Sequence, residues 1–427
     1  ASISLDSNQA IVSLSGVVGS TVNLNGYTLL IGKDSPTTTF AGTIVGSGNV
    51  IITSGTLSLT SSTSTFTGGV TISSGIVVIS SGTVSGKGPL GSGQVSLSGG
   101  ALRLDASSAS FTLANQIALT GSSEFNVVSS AYSTILSGAI TGGGSLVRTG
   151  TGVLTLSGAN TYSGGTTVSA GTLTLGNTTA LGSGTLTNNG TVNVASGVTA
   201  ITVQGLAGTN ASATLSLTNA GSAAVAMTVG ENDATTSYAG VISGLGSVTK
   251  SGTGVLTLSG VNTYSGITTI NAGTLQIAAD SGLGAAPGSA TTGQLVLNGG
   301  TLQATSTFTL SANRGISLGD NDGTIIVNSS AVLTYSGIIA DTGTLYKDGS
   351  GTLNLGGSNT YSGGTTVSTG TLTLGNTTAL GSGTLTNNAT VNVASGITAI
   401  TVQGLAGTDT SASLSLTNAD GNAVAMT

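Results

Sequence analysis

Apolar and polar residues alternate along most of this chain in short pieces, each closed by glycine or asparagine. In GVLTLS, residues 152 to 157, Leu154 and Leu156 share one face of an extended segment, and Val153 faces the other way. GTLTLG at 171 to 176 repeats the relation with Leu173 and Leu175, so Thr172 and Thr174 point outward. These four leucines are the expected core. No 3.6-residue periodicity persists anywhere, which predicts short strands joined by tight turns and almost no helix. Valine, isoleucine and threonine favour the strands, and glycine and asparagine the turns.

The pattern returns as whole sentences. TGTGVLTLSGANTYSGGTTVSAGTLTLG at 149 to 176 recurs as SGTGVLTLSGVNTYSGITTINAGTLQIA at 251 to 278 and as GSGTLNLGGSNTYSGGTTVSTGTLTLG at 349 to 375. A divergent copy occupies 54 to 80. Phe66, Tyr162, Tyr264 and Tyr361 hold the same place in successive copies, at steps of 96, 102 and 97 residues. Above this lies a duplication: residues 163 to 227 match 362 to 426 with nine differences in 65 positions.

Many short strands fit a sandwich, a propeller, a closed barrel or a solenoid. Recurrent turns, the lack of a natural domain division and a unit length that drifts by a few residues select an all-β, elongated parallel β-helix. Thirteen Phe and Tyr supply too little aromatic packing for propeller blades. The expectation is one continuous array over 1–427, with large units at approximately 30–130, 131–229, 230–330 and 331–427. A coil of about 20 residues gives about 21 coils, and a strand spacing near 4.8 Å makes a rod on the order of 100 Å long. Stacking is what stabilises such a molecule, because burying one aliphatic side chain contributes roughly 1.5 to 3 kcal/mol and a lone coil cannot offset its ordering entropy.

Composition narrows the possibilities. Seventy-one glycines among many serines and threonines would suit a flexible linker, but the chain is 38% hydrophobic and only 5% charged. Seven basic and thirteen acidic residues without a basic cluster argue against nucleic acid as a partner. Absence of cysteine removes disulfides and thiolate metal sites. No apolar run is long enough for a membrane-spanning segment, and ASISLDSNQA does not read as a signal peptide. The final AVAMT stops where the earlier copy runs on into VGENDATTSYAG, without a distinctive cap. That pattern raises a homopolymer by end-to-end or lateral association, or a further domain.

Candidate chemistry is thin. With no histidine and scattered carboxylates, no catalytic residue, cofactor or metal is assigned. Asp320 with Asp322, and Glu231 with Asp233, read as polar turns, with a weak external calcium site as the alternative for the first pair. Arg148, Lys250 and Lys347 sit fourteen residues before their aromatics, as salt-bridging or solubilising groups along one edge or, alternatively, as partner contacts. Phe66, Tyr162, Tyr264 and Tyr361 are turn platforms or partial core anchors, or alternatively a row for stacking on sugars. Asn160, Asn262 and Asn359 are expected to close turns locally, and Gly164 and Gly165 to turn the chain. Thr-x-Thr pieces such as Thr172–Thr174 and Thr185–Thr187 resemble ice-binding solenoids weakly, and otherwise keep a low-charge surface wettable.

The segments at 148 to 177, 250 to 279 and 347 to 376 closely resemble the passenger-associated β-strand repeat of bacterial autotransporters: a basic residue, G-x-L-x-L, N-T-Y-S-G, T-T-[VI], then GTL. A weaker copy starts near Ile52, which replaces the basic residue, and Phe66 replaces the tyrosine. The resemblance implies an extracellular passenger exported by a Gram-negative bacterium and carried to the cell surface with a translocator barrel. It predicts a nonenzymatic structural rod or fibre component, acting as a stalk, spacer or matrix element. The alternatives are a direct adhesin or self-association module with a cell-surface or glycan partner and, third, a glycan-active β-helix enzyme.

Overall fold

The computed structural model describes residues 1–32, 37–83, 86–106 and 109–427. It resolves into two compact units: Ala1–Gln204 with Ser212–Ala223, and Gly205–Ala211 with Ala224–Thr427. Each is a parallel β-solenoid, and helix is confined to one 3-10 turn, Asp280–Leu283, among the described residues. The units together carry about 19 turns.

Sheets run along the coils of each unit. In the first unit one face stacks Leu29–Ile31, Val50–Ile52, Val70–Ile72, Val95–Leu97 and Ile117–Leu119. Another stacks Ser123–Val127, Leu146–Thr149, Thr166–Val168 and Thr185–Asn188. A third stacks Ser133–Leu136, Val153–Leu156, Thr172–Leu175, Thr191–Val194 and Thr214–Asn219. The second unit repeats the arrangement, for example through Val332–Tyr335, Thr352–Leu355, Thr371–Leu374 and Thr390–Val393.

Register defines the coil. Leu154 pairs with Leu173, nineteen residues on, whereas Thr268 pairs with Leu295, twenty-seven residues on. The twenty-seven-residue step carries the 3-10 turn and an exposed stretch around Ala285–Ala286, so extra length leaves the sheets without breaking the stack.

The core is a set of aliphatic columns. Leu136, Leu156, Leu175 and Val194 lie one above another, beside Leu154, Leu173, Val192 and Leu215. All eight side chains are buried. The alternating threonines Thr172 and Thr174 remain partly exposed, as the two-residue period of a strand requires.

Candidate functional site

The recurring sequence builds a corner, and the corner is assembled from the inside. Phe66, Tyr162, Tyr264 and Tyr361 are all completely buried, at 0% exposure. Each is therefore a core anchor, and no external sugar platform is formed by these rings. The Tyr162 hydroxyl shares a hydrogen bond with Thr166 Oγ1 at 2.5 Å, and Tyr264 with Thr268 at 2.7 Å; Tyr361 pairs with Thr365 in the same way. Those threonines are buried too, and burial pushes the Tyr162 and Tyr264 phenols up to about 12. Phe66 has no hydroxyl, and the residue four places on is Val70. Aromatic and partner thus change together between polar and apolar, so no copy leaves a hydroxyl of this pair unmatched.

The asparagine two places earlier does not act locally. Asn160 Oδ1 accepts from Ile140 N at 2.8 Å and Nδ2 donates to Ala180 O at 2.7 Å, twenty residues away in each direction. Asn262 joins Ile242 N to Gly282 O, and Asn359 joins Ile339 N to Ala379 O, with distances of 2.6 to 3.0 Å. One amide spans three successive coils. The expected local turn closure is corrected by this geometry, because the side chain points into the stack where only neighbouring coils offer backbone partners. In the divergent copy Ser64 keeps half of the staple, its Oγ accepting from Ile44 N at 3.0 Å.

The repeat cations are the largest departure from expectation. Arg148, Lys250 and Lys347 are buried, at 0 to 1% exposure, and do not form a charged edge. Lys250 Nζ donates to the carbonyls of Ser251, Gly252 and Ala272 at 2.5, 2.7 and 3.3 Å. Lys347 Nζ donates to those of Asp348, Gly349 and Thr369 at 3.0, 2.6 and 3.0 Å. Arg148 reaches Thr149 O, Gly150 O and Gly152 O, but its Nε is buried without a partner. Desolvation brings the Arg148 guanidinium down to about 10 and the Lys347 ammonium to about 8, with Asp348 opposing the second shift; Lys250 is lowered by the same cause against Asp233. Where Ile52 replaces the cation, the loop to the next strand is one residue shorter: Ile52 to Thr56, against Arg148 to Val153. The longer loop is what curls its carbonyls around a charge.

Two kinds of glycine close the corner. Gly171, Gly273 and Gly370 have φ of +66°, +61° and +72°, and a Cβ there would come within 2.6 Å of the carbonyls that ring the cation. Gly91, Gly182, Gly284 and Gly381 follow the aromatics by twenty or more residues, and a Cβ would lie 2.2 to 2.3 Å from the aromatic residue's own carbonyl. This second set, preceded by Leu90, Leu181, Leu283 and Leu380, has its sequence signal in the recurrent Leu-Gly pair whose glycine stands twenty places beyond each tyrosine and twenty-five beyond Phe66. Gly164 presses on the Gly144 backbone, while Gly165 takes φ +87° but is replaced by Ile267 in the third copy.

Three of the acidic side chains accept hydrogen bonds from threonines twenty or more residues on. Asp322 Oδ1 accepts from Thr344 N at 2.7 Å, Asp320 from Thr342 Oγ1 at 3.0 Å, and Asp233 from Thr253 N at 2.6 Å. Among the described residues there is no grouping of three or more His, Cys, Asp or Glu that could hold a metal. Arg314, overlooked in the sequence because it stands outside the repeat, is buried and paired with Asp280 at 2.9 Å. Of the basic residues in the described regions, Lys87 and Arg103 alone are exposed, which leaves no cationic track.

This corner coincides with a known repeat. The passenger-associated-transport-repeat matches residues 54–79, 146–175, 248–277 and 345–374. The chain carries four passenger-associated transport repeats. Three of the matches begin two residues ahead of the buried cation, and the first begins just beyond Ile52, in the copy that lacks one. The chain is also 35% identical over 142 residues to an adhesin autotransporter, BmaC, of Brucella suis biovar 1 (strain 1330), a match covering 33% of this chain. The chain spans only 4% of that relative's length. No solved structure matches the chain. The passenger repeats and the adhesin relative place the chain with proteins of the bacterial cell surface and extracellular space. No described helix is long and apolar enough to cross a membrane.

Proposed function

We propose that this chain is a nonenzymatic passenger solenoid that acts outside a Gram-negative cell as a stalk, spacer or matrix element. The observation that carries the reading is the direction of the buried polar contacts at the repeat corners. Asn160, Asn262 and Asn359 each tie a coil to the one before and the one after, and Lys250 and Lys347 draw carbonyls of two coils onto one ammonium. Polar contacts arranged in this way resist axial separation of the coils. A surface location is tested by adding protease to intact cells that make the protein. Removal of the chain without lysis supports the reading, and survival until lysis overturns it.

The second reading, a direct adhesin, is favoured by one observation: the 142-residue match to an adhesin autotransporter. Purified chain separates the two. An adhesin, added in solution, occupies the target and blocks attachment of the displaying cells in a saturable manner, whereas a spacer leaves attachment unchanged.

A further inference from the structure

The buried repeat tyrosines leave open which aromatic could meet a sugar, and an outward face of the second unit supplies one. Strands Thr274–Ile277, Thr301–Ala304, Gly323–Val327 and Leu345–Asp348 stack in parallel. Their outward positions form two columns. Thr274, Thr301, Thr324 and Tyr346 make the first, and Gln276, Gln303, Ile326 and Asp348 the second. Tyr346 is 37% exposed, in contrast to the 0% of the repeat aromatics. Ile326, diagonal to it, is partly exposed and widens the apolar surface.

The amides beside this platform are already oriented. Thr257 Oγ1 donates to Gln276 Oε1 at 2.8 Å, which leaves the Gln276 NH2 to serve as a donor. Gln303 Nε2 donates to Asn328 Oδ1 at 2.7 Å, which leaves the Gln303 carbonyl as an acceptor. From Thr274 to Tyr346 the two columns hold no charge until Asp348 at the last coil.

We infer that this face binds a neutral polysaccharide lying along the coil axis, with Tyr346 stacking on a sugar ring and Gln276 and Gln303 bonding its hydroxyls. The chemistry commits to that occupant. An anionic polymer would meet Asp348 and no cation, an apolar partner would strand two amides, and a neutral glycan uses an aromatic face together with paired donors and acceptors. Strands about 4.8 Å apart also repeat on the scale of a single sugar residue, so successive coils can meet successive sugars.

The inference rests on the adhesin reading, yet the two fail separately. Purified chain is run in native gels cast with a neutral β-glucan, with a neutral mannan or with polygalacturonate. The expected result is retardation in a neutral polymer that persists when salt is raised, weakened about ten-fold or more in Tyr346→Ala and retained in Tyr346→Phe. Circular dichroism and migration in polymer-free gels confirm that the variants are folded. Free migration in both neutral polymers, equal retardation of Tyr346→Ala, or retardation in polygalacturonate alone overturns it. If purified Tyr346→Ala still blocks cell attachment as the unaltered chain does, the adhesin reading stands and this face is excluded from it.

Discussion

Phe66 with Val70, against Tyr162 with Thr166, shows how single residues are chosen in this protein. A buried hydroxyl is tolerated when another hydroxyl meets it and is costly when alone. Tyr162→Phe is accordingly expected to destabilise by about 1 to 3 kcal/mol through the stranded Thr166 hydroxyl, while Tyr162→Phe with Thr166→Val recovers most of the loss by recreating the pair of the first copy. Chemical denaturation of the two single variants and the double variant measures the coupling, and additive losses would show that the hydroxyls are independent. Asn160→Ala belongs to the same scale. It leaves Ile140 N and Ala180 O without their side-chain partner, so a loss of at least about 1 to 3 kcal/mol is expected, seen as faster amide exchange at Ile140.

At the scale of the element, alternation was legible and the corner was not. Leu154, Leu156, Leu173 and Leu175 declare their inward face because a strand has period two, and the structure buries all four. A basic residue carries the opposite prior: lysine and arginine are rarely buried, so the sequence places Arg148, Lys250 and Lys347 outside. What overrides that prior is backbone geometry, a loop one residue longer whose carbonyls converge, and nothing in residue type announces converging carbonyls. The asparagines mislead for a related reason, since local and inter-coil bonding use the same amide, and only a twenty-residue register distinguishes them. The cation cage makes stability depend on pH. An ammonium lowered to about 8 in the folded chain, and near 10.4 when unfolded, leaves the unfolded state holding more protons between those values. Stability should therefore rise as pH climbs from about 8 towards 10, with Lys347 contributing a slope of at most about 1.4 kcal/mol per pH unit. Above 10 the buried phenols act oppositely: held up to about 12 in the fold, they retain protons that the unfolded chain has lost, and stability falls. Denaturation midpoints of Lys347→Met across pH 7 to 10 test the first limb, since that variant should lose part of the rise.

For the whole molecule, stacking makes the length of the array adjustable while each coil depends on its neighbours. Leu154→Asp with Leu156→Asp should expose backbone amides from Leu136 through Leu215, because the two charges enter columns that run through those coils, whereas an aspartate at the outward Thr174 should be much milder. The duplication permits a sharper experiment. Deleting residues 163–361, 199 of the 427, joins Tyr162 to Ser362 and restores the sequence NTYSGGTTV without an altered residue at the junction. The shortened chain keeps every coil of the first unit up to Tyr162 and continues into a nearly identical copy of what followed it, so it should fold with unchanged strand content by circular dichroism. It also removes Tyr346, Gln276 and Gln303. Displayed on cells, a spacer shortened in this way should still present an element fused to it, only closer to the cell, and attachment that depends on that element should continue. An adhesin acting through the second unit should lose attachment altogether. A folded, displayed deletion that attaches as strongly as the full chain would exclude the second unit's face as the adhesive surface and leave its coils as length alone.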